Sequence, residues 1–147
     1  MLKNKEYTPE TGIPAEKKQE LVEFLYKHLD QFGDEKEAIR KCADYAMKEI
    51  DSLGGYIIMG YADDKLVGAV IVNRTGMGGY IPDNILVYIA IHRDFRGKGL
   101  GRQLMNKAHQ MADGDMKLHV EHDNPARFLY EKMGYTSKYM EMRFENK

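Results

Sequence analysis

Residues 85–102 limit the folds open to this chain more than any other stretch. An apolar run, Ile85-Leu86-Val87-Tyr88-Ile89-Ala90-Ile91, leads through His92-Arg93-Asp94-Phe95 into Arg96-Gly97-Lys98-Gly99-Leu100-Gly101-Arg102. Short, β-branched and bounded by turn residues, the apolar run predicts a buried strand. Leu100, Leu104, Ala108 and Met111 then recur at helical spacing, predicting a helix over about 98–112. A second strand reads from 116 to 121. Strand, helix and strand in one sheet imply a right-handed parallel crossover. The turn itself carries chemistry. Gly97, Gly99 and Gly101 strip it of side chains, so bare N–H groups cluster at a helix start, where they are unpaired and feel the positive end of the helix dipole. Arg96, Lys98 and Arg102 add positive charge, and the amides of 97–102 form a cradle for a phosphate-bearing ligand.

Two familiar phosphate motifs do not fit. The dinucleotide fingerprint G-x-G-x-x-G, begun at Gly97 or Gly99, meets Arg102 or Leu104 where its third glycine belongs. A Walker loop needs Gly-Lys followed by Ser or Thr, and Gly97-Lys98 is followed by Gly99. What remains, Arg96-x-x-Gly99-x-Gly101 after an apolar strand, resembles the pyrophosphate-binding motif of the GNAT N-acetyltransferases. That resemblance implies acetyl-CoA as the ligand. It also implies a fold in which two parallel central strands splay apart and CoA enters the gap, with the backbone of Ile89 and Ile91 bonding the pantetheine arm. An ordinary tight strand-to-helix turn is the plainer alternative.

The remaining elements agree with an α/β architecture of the α+β type. Residues 1–13 look loose, and Pro14 suits a first helical turn. Leu21, Phe24, Leu25, His28 and Leu29 share one helical face that Gly33 ends, and Asp34 is placed to cap the next helix. Ile39, Ala43, Ala46, Met47 and Ile50 mark that second helix, which stops at Gly54-Gly55. Residues 56–62 and 66–73 read as a hairpin around Asp63-Asp64-Lys65. Glycines and Pro82 make 74–84 a loop. Residues 125–133 read as a short helix stopped by Gly134, and 135–144 as holding at least one final strand. The order predicts a mixed sheet with helices on both faces. At 147 residues the chain is expected to be one domain over 1–147, the resemblance covering about 14–144. The family's usual first strand has no evident counterpart, and residues 1–13 leave it open.

Composition excludes several classes. A net charge of −1 argues against nonspecific nucleic-acid or membrane binding. One cysteine, Cys42, cannot form an internal disulfide. No apolar run approaches the ~18 residues of a membrane span, and the start MLKNKEYTPE lacks a signal-peptide core. A cytoplasmic location is expected.

A second motif follows the strand at 116–121. Asn124-Pro125-Ala126-Arg127-Phe128-Leu129-Tyr130, then Gly134-Tyr135, is similar to the family signature N-x-A-x-x-L-Y-x-x-x-G-[FY]. The resemblance implies that Asn124 holds the pantetheine arm or substrate, and that Tyr130 is the general acid that protonates the leaving thiolate. Asn124 before Pro125 also suits a helix cap, and Tyr130 also lies on a packing stripe with Ala126, Leu129 and Met133. Many relatives carry their asparagine seven residues before the tyrosine, where this chain has Asp123. An attacking amine must be neutral, so a base is expected. The glutamate that many relatives place on the strand before the glycine turn is replaced by Val87 and Tyr88. In an L-E-V context of one branch, this chain reads Leu118-His119-Val120. His119 is therefore the candidate general base, and Glu121, on the same strand face, the runner-up. Asp83 is a further carboxylate able to meet a cationic amine. His119 and His122 lack a third metal ligand, so no metal is expected.

The resemblance thus implies an N-acetyltransferase that moves the acetyl group of acetyl-CoA to a primary amine by direct attack in a ternary complex. The acceptor, a small molecule or a peptide N-terminus or lysine, is not written in the sequence. The first two helices, loop 74–84 and the C-terminal strands are expected to recognise it. The C-terminal strand edge offers a route to a homodimer. Three alternatives stay open: a non-catalytic acyl-CoA-binding or regulatory module, transfer of a different acyl group, and a flavin or nucleotide protein sharing only the basic glycine turn.

Overall fold

The computed structural model describes residues 2–147. Five strands, β1 (Lys3–Tyr7), β2 (Gly55–Ala62), β3 (Lys65–Arg74), β4 (Asn84–Ile91) and β5 (Met116–Leu118), form one sheet in sequence order. β1 to β4 are antiparallel neighbours, and β5 alone lies parallel, to β4. The helices α1 (Ala15–His28) and α2 (Lys36–Ala46) cover one face of the sheet. α3 (Leu100–Met111) and the short α4 (Arg127–Lys132) cover the other. This is the mixed sheet with helices on both faces that the element order predicts.

Local chemistry explains the layout. Asp63 and Asp64 both take positive φ, 48° and 65°, which gives the β2–β3 turn the twist that two-residue hairpins require. β2 and β3 are nearly all apolar because helices shield both of their faces. Leu21, Val22, Leu25, Ile39 and Ala43 pack on Ile57, Met59, Ala69 and Ile71 from one side. Leu104, Met105 and Ala108 pack on Ile58, Val70 and Val72 from the other. α3 approaches so closely that a Cβ on Gly68 would lie 2.5 Å from Leu104 Cδ1.

Four expectations need correction. Residues 3–7 form a strand, because the edge of β2 pairs with them over Lys3↔Tyr61 to Tyr7↔Ile57. α2 stops at Ala46 rather than running to Ile50, since Lys48 at φ 57° leaves the helical region. The strand expected over 116–121 ends at Leu118, where its pairing with β4 ends. Residues 135–147 contain no strand. Met140, Met142 and Phe144 alternate as a strand would, but β5 presents an edge only three residues long, and they remain 80–89% exposed.

Candidate active site

The glycine turn follows β4 through a single 3-10 turn, Arg93–Phe95, that starts with Asp94 N donating to His92 Nδ1 at 3.1 Å. Gly97 (φ 79°) and Gly99 (φ 78°) then reverse the chain in a conformation that side chains disfavour. A Cβ at either would meet nothing within 4 Å, so the surface there is open. α3 begins at Leu100 with no side-chain cap. Its first intrahelical acceptor serves Gln103 N, which leaves the amides of Leu100, Gly101 and Arg102 without helical partners. These features fit a pyrophosphate group. Lys98 Nζ sits 5.2 Å from the Phe95 ring and Lys65 Nζ 5.5 Å from it, so a second lysine, from the β2–β3 hairpin, joins the turn. Arg102 is exposed.

Arg96 faces elsewhere. It donates through Nε to Ile91 O at 3.1 Å, through Nη2 to His28 O at 2.7 Å, and through Nη1 to Asp30 Oδ2 at 3.1 Å. Arg93 donates to the other Asp30 oxygen at 2.9 Å. The basic residue that begins the motif therefore ties the turn to the junction of α1 and α2.

β4 and β5 pair only over Asn84↔Met116, Ile85↔Lys117 and Leu86↔Leu118. Beyond that point β4 runs on to Ile91 while the partner chain leaves the sheet, so a gap opens along 87–91. The register between β3 and β4 slips at the same place, because Ile71 pairs with Tyr88 and Val72 with Leu86, and Val87 bulges. Ile89 and Ile91 face the α3 side, partly buried. A Cβ on Gly101 would lie 3.3 Å from Leu129 Cδ2 and 3.9 Å from Ile91 Cγ1. The start of α3, the end of β4 and the helix that carries Tyr130 thus meet at one point.

Tyr130 is buried, at 8% exposure, and its hydroxyl makes no hydrogen bond among the described residues. Burial first, and then the charge of Tyr135, push its pKa up to about 12, which keeps it a proton donor near neutrality. Tyr135 itself bonds His109 Nε2 at 2.7 Å. Asn124 Oδ1 accepts from Ala126 N at 2.9 Å, which rigidifies the entry to α4 and leaves its amide nitrogen out of the protein's hydrogen bonding. His119 and Glu121 lie in the loop beyond β5, both exposed, and their side chains make no hydrogen bond among the described residues, while the Glu121 carbonyl accepts from Asn124 N at 3.0 Å. The strand alternation expected to align them therefore does not apply. Asp83 binds Asp115 N at 2.9 Å, at the opposite end of β4 from the gap.

Three features have no clear sequence signature. The bulge at Val87 arises from register. The pairing of Tyr88 with Asp34, 54 residues apart, and that of Arg96 with Asp30, 66 apart, arise from packing. Asp34 does not cap α2, whose N-cap is Glu35. Two surface hollows of about 360 and 350 Å³ lie around Leu53 and Arg74, away from the gap. Among the described residues no three His, Cys, Asp or Glu side chains converge as a metal would need, and no helix is long and apolar enough to cross a membrane.

Residues 54–137 match the sequence model of the acetyltransferase (GNAT) domain. No protein of curated function matches the chain in sequence. Solved structures match over nearly the whole length. A transcriptional regulator from Bacillus halodurans C-125 has TM-score 0.72 and 18% identity, covering 99% of this chain and 100% of that one. The ribosomal-protein-alanine N-acetyltransferase from Brucella melitensis biovar Abortus 2308 has TM-score 0.67 and 16% identity, covering 99% of each. The aminoglycoside N-acetyltransferase AAC(6')-Iy in complex with CoA has TM-score 0.71 and 14% identity, covering 99% of this chain and 95% of that one. At these identities the likeness concerns the fold.

Proposed function

The chain belongs to the GNAT acetyltransferase family, and from that premise we propose that it is a single-domain N-acetyltransferase using acetyl-CoA and a primary amine. One observation carries this reading: the uncapped glycine turn, the unpaired length of β4 and the Tyr130 helix meet around Gly101. In this reading the amides of 97–102 and Lys98 hold the pyrophosphate, and Arg96 holds the turn in shape. The backbone of Ile89 and Ile91 continues the sheet to the pantetheine arm, filling the place that β5 vacates. Asn124 contributes its amide nitrogen.

The residues act in order. His119, or Glu121 behind it, takes a proton from the acceptor ammonium through water. The freed nitrogen forms a bond to the thioester carbon, the carbon–sulfur bond breaks, Tyr130 gives its hydroxyl proton to the departing sulfur, and the acylated nitrogen sheds its extra proton, which restores the phenol by way of water. No covalent enzyme intermediate is required, since amine and thioester meet directly. Cys42 packs on the face of the sheet opposite Tyr130, and burial pushes its thiol up to about 12.

Tyr130→Phe separates binding from chemistry. Removing a general acid costs about 10²-fold or more in turnover, while CoA binding should stay within about twofold. Thiol release over a panel of amines, alongside equilibrium dialysis against CoA, ATP and NAD, measures both. A fully active variant would remove Tyr130 from the mechanism, and a preference for ATP over CoA would overturn the reading.

A further inference from the structure

Across the bulge at Val87 the side chains of β4 change face. Leu86 packs toward α3, whereas Tyr88 packs beneath α1 and α2. Tyr88 therefore leads from the parting of the strands to the face opposite α3. Its ring is buried, and its hydroxyl donates to Asp34 Oδ2 at 2.5 Å. Burial first, then the Asp34 bond and charge, push the phenol upward, so it remains a donor. Asp34 itself is exposed, in the loop that enters α2. A buried phenol thus fixes one oxygen of a solvent-facing carboxylate and leaves Oδ1 without a hydrogen bond among the described residues.

The acids around Asp34 are not equivalent. Asp30 is neutralised by Arg93 and Arg96, and Glu23 by Lys36. Glu35 and Glu37 are exposed, without ion pairs among the described residues and without a buried tether. The Arg143 guanidinium is held above its ordinary range first by its bond to Glu141 and least by the charge of Asp34. That arginine pairs directly with Glu141, at 2.9 Å, rather than with Asp34.

The geometry points to Asp34 as the carboxylate that receives a second positive charge of the acceptor, with Tyr88 as the residue that positions it. The acceptor class is then a diamine or larger polyamine. This rests on the thioester arm lying along β4 as proposed above. A nitrogen on Asp34 is set off from β4 by the whole length of the Tyr88 side chain, so it is not the nitrogen that reacts at the parted strands. One amine reacts there, and a second ammonium rests on Asp34.

The test pairs linear diamines of four to eight carbons with monoamines of matched length. Two readouts are taken: kcat and KM from thiol release, and calorimetric binding of each amine to CoA-saturated protein. A charge-assisted hydrogen bond of this kind corresponds to about tenfold in affinity. The wild-type protein should favour a diamine by about that factor. Asp34→Asn should lose the preference through KM, Asp34→Glu should retain most of it, and Tyr88→Phe should weaken it partway. Glu35→Gln should keep it. Absence of a diamine preference, its survival in Asp34→Asn, or an equal loss in Glu35→Gln would overturn the assignment. The two readouts separate this inference from the proposed function. Asp34-dependent diamine binding without thiol release from any amine defeats only the function, and release without Asp34 dependence defeats only the inference.

Discussion

His28 shows how one residue joins the two halves of the molecule. It sits at the end of α1, 4% exposed, with its ring 4.2 Å from that of His92. Its Nδ1 accepts from Arg93 N at 3.3 Å, and its carbonyl accepts from Arg96. A ring nitrogen that accepts from a backbone N–H carries no proton. Burial first, and then the positive neighbours His92, Lys27, Arg93 and Arg96, push its pKa down to about 4. The unfolded chain, at about 6.5, therefore takes up the proton first as pH falls. The contribution to stability is complete above about pH 6.5 and is lost between there and about pH 4. At roughly 1.4 kcal/mol per unit, the loss is bounded at about 3.5 kcal/mol. Urea unfolding at pH 7 and pH 4.5 should show it, and His28→Gln should flatten that pH dependence. An unchanged dependence in the variant would assign the effect to other groups.

At the scale of elements, the latch between the glycine turn and the α1–α2 junction matters most. Asp30, at φ 55°, binds both Arg93 and Arg96. These side chains are a third to a half exposed or more, so the pairs add less than about 1 kcal/mol to global stability. Their effect is on the shape of the turn. Arg96→Ala should raise the CoA dissociation constant about tenfold, equivalent to ~1.4 kcal/mol. Asp30→Asn, which reaches no phosphate, should reproduce part of that loss while the melting temperature barely moves. Calorimetric CoA titration decides the matter: wild-type affinity in Asp30→Asn would mean that Arg96 acts on the ligand directly. This element also marks a limit of sequence reading. Arg96 belongs to a recognisable local motif, but its acceptors at Asp30 and His28 are supplied from more than sixty residues away.

For the molecule as a whole, the two apolar clusters on either side of the sheet close without the C-terminal segment. Residues 136–147 contribute no buried side chain, and Tyr139, Met140, Met142 and Phe144 are 78–89% exposed. Ending the chain after Tyr135 retains the Tyr135–His109 bond. Such a truncation should change the unfolding free energy by less than about 1 kcal/mol, as read by chemical denaturation. A larger loss would show that the segment packs in solution.

Periodicity alone made α1, the β2–β3 hairpin, β4 and α3 legible, because in each the apolar spacing reports directly which face is buried. The glycine turn was equally legible, since its chemistry resides in consecutive residues. Tyr130 was identifiable by its motif, although only the fold shows its ring buried and its hydroxyl free of hydrogen bonds among the described residues. β1 stayed open because its polar sequence becomes a strand only when the edge of β2 pairs with it. The final strand was expected and absent for the converse reason, an alternating pattern with too short an edge to join. Consecutive residues were enough to specify the strand–turn–helix unit and to point to the family. Tertiary structure alone decided where the sheet parts, where β4 bulges, and which distant carboxylates meet Tyr88 and Arg96, because register and packing join residues whose spacing along the chain carries no record of their contact.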